Sequence, residues 1–266
     1  MMDSLVRGHF LDTNLVFDAI IPARPRFQDF QKFYAKFPFL SIMITSPVNK
    51  EVHKLAAKSA ELLMKYIHNL IMPSNWEKLD IDGREALLDN IKSTIAKDKW
   101  LNEVENKTVF VLDAFKSISQ QLVSIKEKEK VIDLLVELPD DYLRRIQQTI
   151  ASRFVITPVN TDHSSYDDLK TAIKQLNDNS NVFKEGNSED YKIFSDIILL
   201  CHCGARFANW NTASFIEINL YSNDGLFINN IKKFEEYTKN KNDKTLKELE
   251  IETALGKIKP NNPYTK

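Results

Sequence analysis

FLDTNLVFD, residues 10–18, opens with a short apolar run, and Asp12 stands where the chain leaves that run. A run of this kind predicts a buried strand. In open α/β sheets, functional side chains gather beyond the carboxyl ends of the strands, because loops converge there on a rigid scaffold. Asp12 is therefore a candidate site residue. The alternative interpretation is that Asp12 caps the helix predicted to begin near Asn14, since aspartate is a favoured N-cap residue.

Composition and charge describe a globular chain. Of its 266 residues, 43% are hydrophobic, which is enough for a buried core in one large domain or two modest ones. The 36 Lys and Arg residues balance 37 Asp and Glu residues, so a polyanion partner would need a local basic patch. The start of the sequence lacks the apolar core of a signal peptide, and no apolar run approaches the ~20 residues that span a bilayer. We expect a cytoplasmic chain with no membrane partner.

A second acid follows a second predicted strand. Residues 39–45 form a short apolar run typical of a buried strand. Ser46 and Pro47 come next and predict a helix start, with serine as the N-cap and proline at the first helical position. Glu51 lies in the second turn of that helix, where the positive end of the helix dipole favours a carboxylate. The alternative is that Glu51 is an ordinary surface glutamate.

The middle of the chain, residues 73–152, is predicted to be helical almost throughout. The apolar spacing there follows the helical period, and Pro139 predicts a break between the last two helices. The expected helices are residues 86–95, 101–125, 131–138 and 142–154. This segment shows no pattern of catalytic residues, and it predicts a helical bundle.

Strand-like and helix-like patterns alternate again in the last third of the chain. The predicted elements are a strand at 153–159, helices at 162–176 and 189–203, a strand at 214–221 and a helix at 226–237. Lys184, in a polar loop between two of these helices, is a candidate phosphate contact.

Two further acids stand out in this region. Asp196 lies inside an otherwise apolar helix, and an ionised carboxylate there is costly to bury unless a positive group meets it. Asp224 follows the strand at 214–221, and its alternative interpretation is a common Asp-Gly turn. The two cysteines, Cys201 and Cys203, are too close to bridge and too few for a typical zinc site, so they predict core cysteines.

The order of these elements and acids resembles that of the PIN-domain nucleases. The resemblance covers roughly residues 8–72 and 153–237. The matching segments are FLDTN at 10–14, ITSPVNKEV at 44–52, the strand at 155–159, DIILL at 196–200 and SNDGLF at 222–227. Each segment is weakly specific by itself, whereas their order along the chain is more specific.

The resemblance implies a PIN-like three-layer α/β fold with a central, mainly parallel sheet of four or five strands, flanked by helices. It implies one or two Mg²⁺ or Mn²⁺ ions held by Asp12, Glu51, Asp196 and Asp224, with Asn14 and Ser222 orienting carboxylates or water. Hard divalent ions take carboxylate oxygens and lower the pKa of bound water, so these residue types suit that chemistry.

The implied activity is metal-dependent endonucleolytic hydrolysis of RNA in processing, as a toxin or in defence. Single-stranded DNA is the alternative substrate, and a regulatory protein is a further implied partner. The implied division is a nuclease core at 1–72 and 153–238, an inserted helical bundle at 73–152, and a polar tail at 239–266 forming a peripheral helix. Such an insertion makes the chain a larger relative of the compact toxin-type members.

Three alternatives stay open. Asp190, six residues before Asp196 and on a different side of the helix, is the other candidate for the third acid. A catalytically inactive PIN-like module would bind a protein or RNA partner through the helical insertion, although the presence of all four acids favours the enzyme. A phosphoryl-transfer domain with Asp12 as nucleophile would have a second aspartate two residues later, where this chain has Asn14.

Overall fold

The computed structural model describes residues 4–38, 41–98, 107–183, 188–207 and 212–264. Its strands are β1 Ser4–Leu11, β2 Ile42–Thr45, β3 Val155–Thr157, β4 Ala205–Arg206, β5 Thr212–Tyr221 and β6 Ile258–Asn261. Its helices are α1 Thr13–Ile20, α2 Phe27–Tyr34, α3 Ser46–Ile71, α4 Ile81–Lys97, α5 Lys107–Ser124, α6 Lys128–Arg153, α7 Tyr166–Ser180, α8 Ser188–Cys203, α9 Gly225–Asn240 and α10 Leu246–Leu255. Lys184, residues 39–40 of the second predicted strand and the start of the predicted helix at 101–125 lie outside the described residues.

The described strands form one mainly parallel sheet in the order β3-β2-β1-β5-β4, with β6 also paired to β5. Only the β4–β5 pair is antiparallel among these ladders. Phe10 and Leu11 of β1 have no exposed surface, as expected for a strand between two parallel neighbours. The predicted α/β class with a mainly parallel sheet flanked by helices is confirmed, and the sheet has one strand more than the four or five expected.

The register of the sheet brings distant segments together at one edge. Leu11 at the end of β1 is paired with Tyr221 at the end of β5, and Leu11 is also paired with Ile44 of β2. The residues that follow these parallel strands therefore leave the sheet side by side. Asp12 and Ser222 are consequently neighbours in space, although 210 positions separate them in the chain.

The chain divides into two compact units. The first consists of residues 1–19, 28–51 and 151–266 and contains the sheet, and the second consists of residues 20–27 and 52–150 and is helical. The helical unit takes in residues 52–71 of α3, which the sequence-based division had given to the core. None of the helices described for the chain is long and apolar enough to cross a membrane.

The predicted break at Pro139 does not occur, because α6 runs continuously through that residue. Proline removes one backbone hydrogen bond and usually kinks or ends a helix. Here the apolar stripe keeps its register on both sides of the proline, as the side chains of Leu135, Leu138 and Tyr142 are all buried. Packing of that continuous stripe offsets the missing hydrogen bond, and the two predicted helices are one.

The C-terminal segment was predicted to be a peripheral helix, and it forms both a helix and a strand of the sheet. Residues 246–255 are the helix α10, which begins with a capping box between Thr245 and Glu248. The chain then adds β6 in parallel to β5, from Ile258 opposite Ile218 to Asn261 opposite Tyr221. The polar composition of the segment concealed this strand, because β6 is a short edge strand with only Ile258 buried.

Cys201 and Cys203 lie at the end of α8, and both are buried free thiols, as predicted for core cysteines. Burial raises the pKa of the Cys201 thiol to about 12 and that of Cys203 to about 11. Helix α8 packs against β2, β5 and β6, so its C-terminal turn belongs to the core of the first unit.

Gly204 ends α8 in a conformation that requires glycine. Its φ is +75°, its amide donates to the carbonyl of Leu200, and a Cβ there would meet the carbonyl oxygen of Ala213 at 2.5 Å. We expect Gly204→Ala to lower the free energy of unfolding by about 1–3 kcal/mol, measured by urea denaturation. Gly225→Ala is the matched control, because an added Cβ there meets nothing within 4 Å. Equal stability of the two variants would contradict this prediction.

Candidate functional site

Asp12 is held at the carboxyl end of β1 by contacts on both of its carboxylate oxygens. Oδ1 accepts a hydrogen bond of 3.0 Å from the amide of Leu15, so Asp12 does cap α1. Oδ2 accepts a short hydrogen bond from the hydroxyl of Ser222. The side chain is 4% exposed. The two interpretations of Asp12, as a cap and as a site residue, are therefore compatible.

The turn after β5 brings Asp224 to the same edge. The Ser222 hydroxyl donates to Asp12 and accepts from the amide of Asp224 at 2.9 Å. Asp224 caps α9, and its Oδ1 accepts hydrogen bonds from the amides of Leu226 and Phe227 at 2.7 and 3.1 Å. The predicted Asp-Gly turn and the predicted site position again coincide, since the cap leaves Asp224 half-buried beside the other acids.

Glu51 reaches this edge from the first turns of α3. The hydroxyl of Thr13, directly after Asp12, donates to Glu51 Oε2 at 2.5 Å. Helix α3 begins at Ser46, and the Thr45 hydroxyl accepts from the Val48 amide at 3.5 Å, so the cap lies one residue earlier than predicted. Thr13 is a site residue that the sequence interpretation did not single out. Its position beside Asp12, just beyond a buried strand, is the signal that could have indicated it.

Asp190, in the first turn of α8, belongs to the same group of acids. Burial is the largest cause that raises its pKa to about 6, and the carboxylates of Asp224, Glu51 and Glu189 raise it further. The pKa of Asp12 is raised to about 7, first by burial and then by Asp224 and Asp190, against the hydrogen bonds from Ser222 and Leu15. The charges of Asp224 and Asp190 thus act on Asp12, and those of Asp224 and Glu51 act on Asp190. We call these four residues, Asp12, Glu51, Asp190 and Asp224, the acid cluster.

Asp196 has a different environment, although its pKa is also raised to about 6. The cause is burial, and the charges acting on it are the cations of Lys170 and Lys50, which lower the pKa. These cations only partly offset the cost of burial, since the pKa of Asp196 stays above its ordinary value. Asp190 and Asp196 are six residues apart and so face different sides of α8, and the side of Asp190 faces the other acids. The placement favours Asp190 over Asp196 as the third acid.

The acid cluster offers a donor set of the kind that hard divalent ions prefer, namely several carboxylate oxygens with hydroxyl and backbone groups behind them. Burying like charges together is unfavourable unless protons or cations neutralise them, which is what the raised pKa values of Asp12 and Asp190 express. Within the described part of the chain, no three acid, histidine or cysteine side chains are already arranged around a common metal position. The chemistry of the donor set fits a divalent ion.

Asn14, predicted to orient a carboxylate or water, lies half-buried in the first turn of α1, two residues from Asp12. Ser222, predicted for the same role, is fully buried and hydrogen-bonded to Asp12.

Comparisons of the chain with protein-family models, curated proteins and solved structures find no match.

Proposed function

We propose that the chain is a divalent-metal-dependent endoribonuclease of the PIN-like type, whose acid cluster holds one or two Mg²⁺ or Mn²⁺ ions. The observation that carries this proposal is the convergence of carboxylates at the carboxyl edge of a mainly parallel sheet. Ser222 joins Asp12 to the turn of Asp224, Thr13 holds Glu51, and the charges of Glu51 and Asp224 act on Asp190. That edge is where open α/β sheets bind ligands. Clustered carboxylates repel a phosphodiester unless cations intervene, so a nuclease here needs metal ions.

A bound divalent ion supplies a water of lowered pKa and neutralises charge on the phosphate. The residues of the chain position the carboxylates that would hold the ion. Ser222 and the Leu15 amide fix the two oxygens of Asp12, Thr13 fixes Glu51, and the amides at the start of α9 fix Asp224. A carboxylate held by such partners loses little freedom when it binds an ion, which favours affinity.

A comparison of two acids on one helix tests which residues form the site. We expect Asp190→Asn to lower Mn²⁺-dependent cleavage of single-stranded RNA by at least about 100-fold, more than loss of an outer partner usually costs. The reason is that Asp190 is coupled to Asp224 and Glu51. Asp196→Asn is the matched control, since that carboxylate is also half-buried but interacts with lysines. The measurement is the initial rate on labelled RNA, with circular dichroism as a check on folding.

The two variants distinguish Asp190 from Asp196 as the third acid of the site. Loss of cleavage in Asp196→Asn with full activity in Asp190→Asn would restore the sequence-based preference for Asp196. Single-stranded DNA of the same sequence, run beside the RNA, decides the substrate class.

A second function, binding of a protein partner by the helical unit of a catalytically inactive module, is favoured by one observation. Ile132 and Val136 on α6 are 40% and 67% exposed, and with Met64 and His68 they line a cavity of about 230 Å³. Calorimetry with Mn²⁺ distinguishes the two functions. Absence of Mn²⁺ binding, together with absence of cleavage, would favour the binding module.

A further inference from the structure

A fifth carboxylate, Asp18, lies buried beside the turn that carries Asp224. It is 1% exposed and lies on α1, six residues after Asp12. Its Oδ2 accepts a hydrogen bond of 2.9 Å from the hydroxyl of Tyr264 and one of 3.2 Å from the side-chain amide of Asn223. A buried carboxylate is costly without such donors, so both bonds are expected to be structurally important.

Asn223 is the central residue of the turn that builds the site. Its neighbour Ser222 donates to Asp12, and its other neighbour, Asp224, is one of the four acids. The amide of Ser222 also donates to the carbonyl of Asn261 at 2.9 Å, at the end of β6. The turn is thus attached to the segment that runs from β6 to Tyr264 directly at Ser222 and, through Asp18, at Asn223.

We infer that Asp18, Asn223 and Tyr264 form a positioning network that sets the placement of Ser222 and Asp224 in the metal-dependent site. This inference rests on the proposed function for its effect on catalysis, but not for its effect on the turn itself. The C-terminal segment, which pairs with the sheet through β6, is then part of the site.

Asp18 acts through the turn and not as a fifth ligand. Its position six residues after Asp12 turns it to a different side of α1 by the 3.6-residue period. The charges that shift the pKa of Asp190 are those of Asp224, Glu51 and Glu189, and Asp18 is not among them. Its Oδ2 is engaged by the turn and by Tyr264.

Tyr264→Phe tests the network with one atom removed, and Tyr34→Phe is its matched control. Each phenol donates one hydrogen bond of 2.9 Å, Tyr264 to Asp18 and Tyr34 to the carbonyl of Arg153. In metal-free protein we expect amide hydrogen exchange at Asp224, Leu226 and Phe227 to accelerate about fivefold to tenfold in Tyr264→Phe and to stay unchanged in Tyr34→Phe. Unchanged exchange at these amides in Tyr264→Phe would overturn the inference.

Steady-state cleavage with Mn²⁺ gives the second readout. We expect Tyr264→Phe to lower kcat about 10-fold with KM for RNA near the wild-type value. This is the lower end of the cost of losing an outer partner of a metal ligand, because Tyr264 acts on the site only through Asp18 and Asn223. Asp18→Asn keeps an oxygen that accepts both hydrogen bonds, so it should retain most activity, whereas Asp18→Ala should lose as much as Tyr264→Phe. Equal loss in Asp18→Asn and Asp18→Ala would show that the charge matters and would overturn a positioning role.

The two readouts separate the inference from the proposed function. A wild-type protein that cuts no RNA, with exchange still faster in Tyr264→Phe, would refute the nuclease and keep the network. Metal-dependent cleavage by the wild type, with exchange and kcat unchanged in Tyr264→Phe, would refute the network and keep the nuclease.

Discussion

Asp12→Asn is expected to lower Mn²⁺-dependent RNA cleavage by well over about 100-fold, the upper end of what loss of an outer partner costs. Asparagine keeps the size of the side chain and is as good a helix cap as aspartate, so the Leu15 amide keeps its acceptor. What disappears is the group in the acid cluster that can ionise and bind a cation. A neutral amide cannot replace a carboxylate as the principal ligand of a hard divalent ion.

The measurement is the cleavage rate of labelled single-stranded RNA, structured RNA and single-stranded DNA, with and without EDTA. Asp80→Asn is the matched control, because Asp80 is also an N-cap whose side chain accepts an amide hydrogen bond, from Gly83 at 2.8 Å in the helical unit. Asp80→Asn should cut at the wild-type rate. Wild-type cleavage by Asp12→Asn would remove Asp12 from the site and contradict the proposed function.

The same substitution is expected to stabilise the metal-free protein at neutral and higher pH. Burial and neighbouring carboxylates raise the pKa of Asp12 from 3.8 to about 7 in the folded chain. Between pH 3.8 and about pH 7, Asp12 is ionised in the unfolded chain and protonated in the folded chain. The free energy of unfolding therefore falls as the pH rises through this range and levels off above about pH 7. The loss is on the order of 4 kcal/mol, at 1.36 kcal/mol for each pH unit.

Asparagine cannot ionise and so avoids this loss, but it gives up the acceptor for Ser222, which costs about 1 kcal/mol. We therefore expect Asp12→Asn to raise the free energy of unfolding by about 2–3 kcal/mol at pH 8 and to give no gain below pH 4. Urea denaturation at a series of pH values measures both. Asp80→Asn should stay within about 0.5 kcal/mol of the wild type, as exposed substitutions usually do.

Mn²⁺ should make the wild type more stable than Asp12→Asn, which reverses their order in the metal-free state. An ion that binds only the folded wild type stabilises it by mass action, whereas Asp12→Asn should show little response. A wild-type stability that is independent of pH between 4 and 8 would contradict the raised pKa of Asp12. Together the two predictions describe a site whose clustered carboxylates lower the free energy of unfolding of the metal-free protein. Such a loss of stability is common at functional sites.

Local sequence patterns predicted the parts of the site that depend on neighbours in the chain. The apolar run before Asp12 predicted β1, and the Ser-Pro start predicted α3 and hence the position of Glu51 in its second turn. Asp224 was predicted at the end of β5 and at the start of α9 by alternation and by the Asp-Gly pair. These signals work because hydrophobic period, caps and turn residues act over a few residues.

Three predictions depended on distant partners, and there the local patterns were insufficient. Pro139 predicts a break only if no continuous stripe packs across it, and the stripe of α6 does pack. The polar tail was expected to stay peripheral, whereas pairing with β5 makes it β6. Asp190 and Asp196 lie on the same helix, and their charged neighbours in space decide which of them belongs with the other acids.

The sequence by itself determined the class of the fold, the strands and helix starts that carry Asp12, Glu51 and Asp224, and which acids stand at strand ends, because these follow from periodicity and composition within short windows. The tertiary structure alone decided which acids form one cluster and what holds them in place. Ser222 meets Asp12 across 210 positions, and Tyr264 meets Asp18 across 246. Charge coupling and burial depend on distance in space, and for residues so far apart in sequence that distance is set by the pairing of β1, β5 and β6.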